Sequence, residues 1–231
     1  MSNPTLTKAY SAAETLSVYM SKVYQWMTIG LFVTAVTAFL VSSVAASIFA
    51  TPTIPIVLGI AEIAIVIAIS AAIHKMSAQT ATMLFVLFSI LNGATLSSIF
   101  LVYTGGSIAN AFVATAGTFL VMSIYGSTTK RDLTSWGSFL FMGLIGLIIA
   151  SLVNLFLASA MMDFVISAIG VLIFTAYTAY DTQKLREFSL GAPLDDAQAL
   201  QRGVILGALT LYSDFINLFI YLLRFLGVNR D

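Results

Sequence analysis

The sequence predicts an all-α membrane protein with seven transmembrane helices, and three observations carry that reading. Of 231 residues, 59% are hydrophobic and only 9% charged, and the mean hydropathy is +1.00. A soluble domain has about 25% charged residues, so this chain has too little polar surface to cover a globule, and the surplus must face lipid. The chain also divides into seven apolar runs, each near the ~20 residues that a spanning helix needs. Most of its charged residues lie at the ends of those runs.

Along the chain, residues 1 to about 9 read as a polar tail. The first twenty residues lack the continuous apolar core of a signal peptide. From Tyr10, the residues Ala13, Leu16, Met20, Val23 and Met27 recur at helical spacing, which predicts a short interfacial helix running into the first span. The spans fall near 24–49, 54–74, 80–103, 107–127, 137–159, 163–183 and 203–226. "TPTIP" separates the first two, "TGGS" the third and fourth, and "TTKRDLTSWGS" the fourth and fifth. The turn "LASAMMD", between the fifth and sixth, is the least sharply marked. The domain organisation is thus 1–22 as tail and interfacial helix, 23–228 as the seven-helix membrane domain and 229–231 as a C-terminal tail.

All loops are short, so no soluble domain is available for an aqueous active site. The longest, roughly 184–202, carries Asp195 and Asp196. Two adjacent carboxylates lack the alternating oxygen ligands of a calcium loop, so these read as a solvated turn. An odd number of spans puts the chain ends on opposite sides. One side collects Lys8, Lys22, Lys75, Lys130, Arg131, Lys184, Arg186 and Arg202, the other only Arg224 and Arg230. The positive-inside rule then makes the N-terminus cytoplasmic and the C-terminus periplasmic. Zero net charge and the lack of a basic run argue against nucleic acid as a partner. The absence of cysteine excludes disulfides, thiolate metal sites and a cysteine nucleophile. A single histidine, His74, leaves no His-rich metal site, and no cofactor is expected.

Ionisable groups inside the membrane are expensive and by default functional candidates. Glu62 lies roughly 12 Å into the second span and Asp214 roughly 16 Å into the seventh, at 1.5 Å per residue. Asp181 is nearer the cytoplasmic end of the sixth span. In the seventh span, Gly203, Gly207, Thr210, Asp214, Asn217, Tyr221 and Arg224 follow at alternating steps of four and three, making one polar, small-residue stripe. Gly203 and Gly207 form a GxxxG step that admits a neighbouring backbone. Such a helix belongs inside a bundle. The sixth span offers Phe174, Tyr177, Asp181 and Lys184 on one face, so Tyr177 could donate to Asp181 and Lys184 could reach it. Consecutive spans tend to be neighbours, so Asp181 and Asp214 can meet. Two carboxyls in contact cannot both ionise cheaply, and they titrate as one pair. Asn92, Asn154 and Asn217 read as inter-helix glue, and Glu62 as packing or a cation contact.

Three functions use two intramembrane acids: a pH-gated cation pathway, an intramembrane aspartyl protease, and a non-transporting regulator that binds other membrane proteins. The protease reading is the weakest. The second acid sits in "YSDF" rather than in a Gly-x-Gly-Asp, and no Pro-Ala-Leu segment follows.

The segments "VYQWMTIGLF" (23–32), "NGATLSSIFLVY" (92–103), "STTKRDL" (127–133), "AYDTQKL" (179–185) and "LGALTLYSDFINLFIYLLRFLG" (206–227) together resemble the Bax inhibitor 1 family (transmembrane Bax-inhibitor-motif proteins), specifically its bacterial branch. The resemblance implies seven helices, with the last surrounded by the other six in two layers of three. It implies an inner-membrane location and no enzymatic activity. It also implies that Asp181 and Asp214 form a di-aspartyl pH sensor controlling a calcium leak, with the second helix moving to open the pore. Glu62, Asn217 and Tyr177 are then candidates for the ion pathway. Calcium ions, protons and the lipid bilayer are the expected partners, and a membrane protease or another membrane protein is the partner on the regulator reading. Some bacterial relatives carry an arginine latch near the cytoplasmic end of the second helix. Here "SAAIHKMS" stands in its place, so His74 or Lys75 substitutes, or nothing does.

Overall fold

The protein is described here from a computed structural model, which covers residues 12–228 and 230. The expected polar tail lies outside the described residues. Within them the chain forms α1 (Ala12–Ser42), α2 (Ala45–Phe49), α3 (Thr53–Ala72), α4 (Ala78–Leu96), α5 (Ile99–Val102), α6 (Gly105–Thr128), α7 (Trp136–Leu157), α8 (Ala160–Ser189) and α9 (Ala197–Leu226). Seven of these elements, counting α4 and α5 together, are long and apolar enough to cross a membrane. The helix count and order match the seven spans read from the sequence.

The boundaries differ in ways that have local causes. No proline interrupts the run from Tyr10 into the first apolar segment. The expected interfacial helix and the first span are therefore one helix, and residue 22 marks no break. At 31 residues α1 is about 46 Å long, well over a hydrocarbon core of about 30 Å. The third span is not continuous. Ser97 and Ser98 donate their hydroxyls to the carbonyls of Ala94 (2.7 Å) and Thr95 (2.9 Å), a local competition that ends α4 before α5 begins.

The loop expected over 184–202 shrinks to 190–196, because α8 and α9 both extend past the apolar core. Asp196 is not an idle surface acid: its Oδ1 accepts the backbone N–H groups of Gln198 and Ala199, both at 2.9 Å, and so caps α9. The "LASAMMD" turn is tight. Ala158 takes a left-handed φ of 49°, Asn154 Oδ1 accepts the Ser159 N–H at 3.0 Å, and the Ser159 hydroxyl caps α8 by accepting from Met162 N–H. Asn154 thus closes a turn instead of joining two helices.

The last helix is the most buried. Across its apolar window 67% of residues are buried, against 33% for α4 and 6% for α3. It packs on α1, α3, α4, α6 and α8, whereas α7 rests mainly on α8 and α3 mainly on α4. Glycines set the closest approaches to α8. A Cβ on Gly126 of α6 would lie 2.2 Å from the Ala179 carbonyl oxygen, and one on Gly170 of α8 would lie 2.5 Å from the Tyr221 ring of α9. By contrast, Gly117, also in α6, has nothing within 4 Å.

These contacts set a stability comparison. Gly126→Ala should destabilise the detergent-solubilised protein by about 1–3 kcal/mol through overpacking against backbone. Gly117→Ala should be neutral or stabilising by up to about 1 kcal/mol, the helix-propensity gain. Thermal unfolding of both variants measures the difference, and equal effects would mean that α6 and α8 are not in contact at Gly126.

Candidate functional site

The segment 179–185 of α8 meets a different neighbour at nearly every residue. Ala179 receives the bare backbone of Gly126. Tyr180 covers Gly137 at the start of α7. Thr182 hydrogen-bonds Ser123 of α6 at 3.2 Å, and Ser123 is in turn bonded to the Tyr24 hydroxyl of α1. The Gln183 carboxamide accepts the Leu133 N–H and donates to the Arg131 carbonyl, each at 2.8 Å. Those two bonds pin the 129–135 loop onto α8 with Leu133 buried. Leu185 packs against the position of Gly207. So "AYDTQKL" is a packing hub as well as the carrier of an acid.

Asp181 is the acid of this segment, and its carboxyl faces that of Asp214 across the α8–α9 interface, close enough for direct interaction. Both side chains are buried. Neither receives a hydrogen bond from an amide, hydroxyl or amine among the described residues, and Asp214 Oδ2 is fully buried with no partner. Tyr177 lies within electrostatic reach of both acids. However, its ring packs against Phe174 and Tyr180 and its hydroxyl makes no bond to Asp181, so the expected donation is not formed. Lys184 is the nearest cation to Asp181, but its amine sits 5.8 Å over the Tyr180 ring and makes no ion pair with the acid.

Glu62 is placed quite differently. Its Oε1 accepts from the Thr95 hydroxyl at 2.6 Å and its Oε2 from the Asn92 amide at 3.2 Å. Asn92 Oδ1 accepts from the Tyr212 hydroxyl at 3.1 Å, and Tyr212 also bonds the Thr34 hydroxyl at 2.7 Å. Thr34 reaches the Ser89 carbonyl at 2.9 Å. The chain of bonds therefore ties α3, α4, α9 and α1 together through neutral groups. Asn92 is the inter-helix glue its residue type suggested. Glu62, Asn92, Thr95, Tyr212, Ser213 and Asn217 share one cavity of about 430 Å³. Asn217 donates its amide to the Ser213 carbonyl of its own helix at 2.8 Å and so bridges no helices. Of the residues named for an ion pathway, Glu62 and Asn217 meet in this cavity, and Tyr177 does not line it.

His74 and Lys75 are exposed just beyond α3. No hydrogen bond or ion pair joins either to Asp181 or Asp214, and His74 instead borders a small cavity with Tyr19, Phe188 and Arg202. At the opposite end of the same helix pair, Arg224 forms an ion pair with Asp163. That pair places a cation in the last turn of α9 and an anion in the first turn of α8, each complementing its helix dipole. Sequence reasoning did not single out Gln183, Tyr212 or the Arg224–Asp163 pair. For the last, a lone arginine and a lone acid at facing span ends were the available signal.

The chain's sequence is similar to those of known chains. Residues 16–231 match the family model described as "Inhibitor of apoptosis-promoting Bax1". The chain is similar to the inner membrane protein YbhL of Escherichia coli K12, 51% identical with 93% of each chain covered. A protein of Borreliella burgdorferi is 49% identical, over 92% of this chain and 93% of its own. The Rickettsia prowazekii protein RP147 is 44% identical, over 98% and 96%.

The Gln183 clamp yields a direct test. Gln183→Leu leaves the buried Leu133 N–H without an acceptor, which should cost about 1–3 kcal/mol locally. Hydrogen exchange at Leu133 should accelerate markedly. Gln183→Glu, which keeps the acceptor, should retain most of the protection. Unchanged exchange in Gln183→Leu would mean that the loop is held by something else.

Proposed function

Because the chain belongs to the Bax inhibitor family of multi-pass membrane proteins, we propose that it is a pH-sensitive cation leak of the inner membrane, with calcium as the candidate ion and the Asp181–Asp214 pair as its sensor. One observation carries the reading: Asp214 Oδ2 is buried opposite a second carboxyl and has no donor among the described residues. Among the described residues, each acid has the other as its hydrogen-bonding partner. A proton held by either one lets it donate to the other. Loss of that proton leaves two anions facing each other in low dielectric. The pair therefore behaves as a bond between α8 and α9 when it carries a proton and as a repulsion, with an attraction for cations, when it does not. Such a charge change biases a packing equilibrium.

Glu62 serves this reading as a cation contact along the route, in the cavity it shares with Asn217. Tyr177 borders the sensor. No residue of this chain is assigned the role of the arginine latch, since His74 and Lys75 both stand apart from the acids. The basic-residue bias assigns the N-terminus to the cytoplasm and the C-terminus to the periplasm. The pair is given no hydrolytic role, and the chain no cofactor.

Liposome-reconstituted protein loaded with a calcium indicator tests the proposal. Wild-type flux should change with external pH. Asparagine mimics an uncharged carboxyl, so Asp181→Asn and Asp214→Asn should each hold, at every pH, the flux that wild type shows at its acid limit. Variants that keep the wild-type profile would remove the pair as sensor. Absence of flux at any pH, with co-purification of a membrane protease or another membrane protein, would favour a non-transporting regulator instead.

A further inference from the structure

Three helix faces converge on the cavity of about 430 Å³ that holds Glu62. Ile63 and Ile67 of α3, Phe88 and Leu96 of α4, and Ile216 and Ile220 of α9 supply its apolar walls. Within each pair the spacing keeps both side chains along one side of the helix. The stretch from Phe88 to Leu96 is about 12 Å at the helical rise, so the cavity is compact. Its volume falls in the range of a small-molecule site, roughly 300–1,000 Å³. Ile63 and Ile67 are both exposed and sit on a membrane span. The cavity therefore opens sideways, toward the acyl chains of a bilayer, and an occupant arrives from the lipid phase.

Its polar groups are unevenly spent. The Thr95 hydroxyl and the Asn92 amide donate to Glu62, and the Tyr212 hydroxyl donates to Asn92. The Ser213 hydroxyl donates to the Leu209 carbonyl at 2.8 Å, and the Asn217 amide to the Ser213 carbonyl. Of these donors, only the second N–H of each asparagine is left over. Acceptors are in excess. A carboxyl offers about four lone-pair sites, and Glu62 uses one on each oxygen. Asn217 Oδ1 and Ser213 Oγ accept no hydrogen bond among the described residues. No lysine, arginine or histidine lines the cavity to offset them. Surplus acceptors around one acid, enclosed by apolar walls and an aromatic ring, match an ammonium group on a hydrophobic body. A resident divalent ion is a poorer match. Calcium takes roughly six to eight oxygen ligands, and the free acceptors here come from Glu62, Ser213 and Asn217 alone. A passing ion needs only a weak contact, so Glu62 can still serve a leak.

We propose that this cavity binds an amphiphilic protonated amine, whose ammonium donates to Glu62 and Asn217 Oδ1 and whose apolar part lies against Phe88, Ile216 and Ile220. Neither Asp181 nor Asp214 lines the cavity, and its occupancy does not require the chain to conduct.

Equilibrium dialysis of tritiated phenylbutylamine against the full chain in phosphatidylcholine nanodiscs, with empty nanodiscs as the blank, tests this. Wild type should bind the amine saturably, and phenylbutanol, its neutral isostere, should not displace it. Glu62→Gln should weaken binding about tenfold or more, the loss of a hydrogen bond to a charged group. Ile63→Trp fills the mouth of the cavity from an exposed position, so it should fold and lose saturable binding. Ile56→Trp, on an exposed position of the same helix outside the cavity, should bind as wild type does. No saturable binding to wild type, displacement by equimolar phenylbutanol, or undiminished binding in either Glu62→Gln or Ile63→Trp would each overturn the proposal. Asn217→Leu, which removes an acceptor that bonds no other helix, gives the same readout should Glu62→Gln fail to fold.

Discussion

A carboxyl group at membrane depth must find a donor, a counter-charge, a proton or water, and the cost of finding none organises this bundle. Three acids lie in the apolar runs, and they meet that requirement in two ways. Glu62 is surrounded by neutral donors, Thr95 and Asn92, which are themselves fixed by Tyr212 and Thr34. Asp181 and Asp214 face each other and accept no hydrogen bond from an amide, hydroxyl or amine among the described residues. The first arrangement is complete as it stands and holds four helices in register. On the proposed reading, the second is completed or broken by one proton. The difference in donor supply runs alongside one in burial, since Glu62 is half-buried and both aspartates are buried.

The helix count, the identity of the most buried helix and the juxtaposition of Asp181 and Asp214 were legible from hydropathy and helical spacing. The limits of that legibility are equally physical. The stripe from Gly203 to Arg224 reads as one line at steps of three and four, yet each residue turns the helix by about 100°. Gly203, Gly207, Asp214 and Tyr221 stay together and face α1 and α8. Ser213 and Asn217 fall to one side and face the Glu62 cavity. A sequence pattern cannot show where one neighbour ends and the next begins. Gln183 was invisible for another reason: its partners are backbone atoms of Arg131 and Leu133, which carry no residue signature. The helix extensions were missed because α8 and α9 continue as polar helix beyond the hydrocarbon, where hydropathy falls silent. Caps such as Asp196 mark the true ends.

The stiffness of the bundle is unevenly distributed, and that distribution bears on how a proton could be felt elsewhere. Backbone meets side chain or backbone without an intervening Cβ at Gly126–Ala179, Gly170–Tyr221 and Gly93–Thr34, so α6–α8, α8–α9 and α1–α4 are close-packed pairs that resist sliding. α3 has no such contact: Gly59 has nothing within 4 Å, and the helix is the least buried of the spans. Its polar hold on the bundle is Glu62, gripping Asn92 and Thr95 of α4. Asn92 in turn is held by Tyr212, two residues before Asp214 on α9. On the proposed reading, a charge change at the acid pair that shifts α9 against α8 would pull on Tyr212, then Asn92, then Glu62. The element with least packing to oppose that pull is α3. The second span is thus the one that the least burial holds in place.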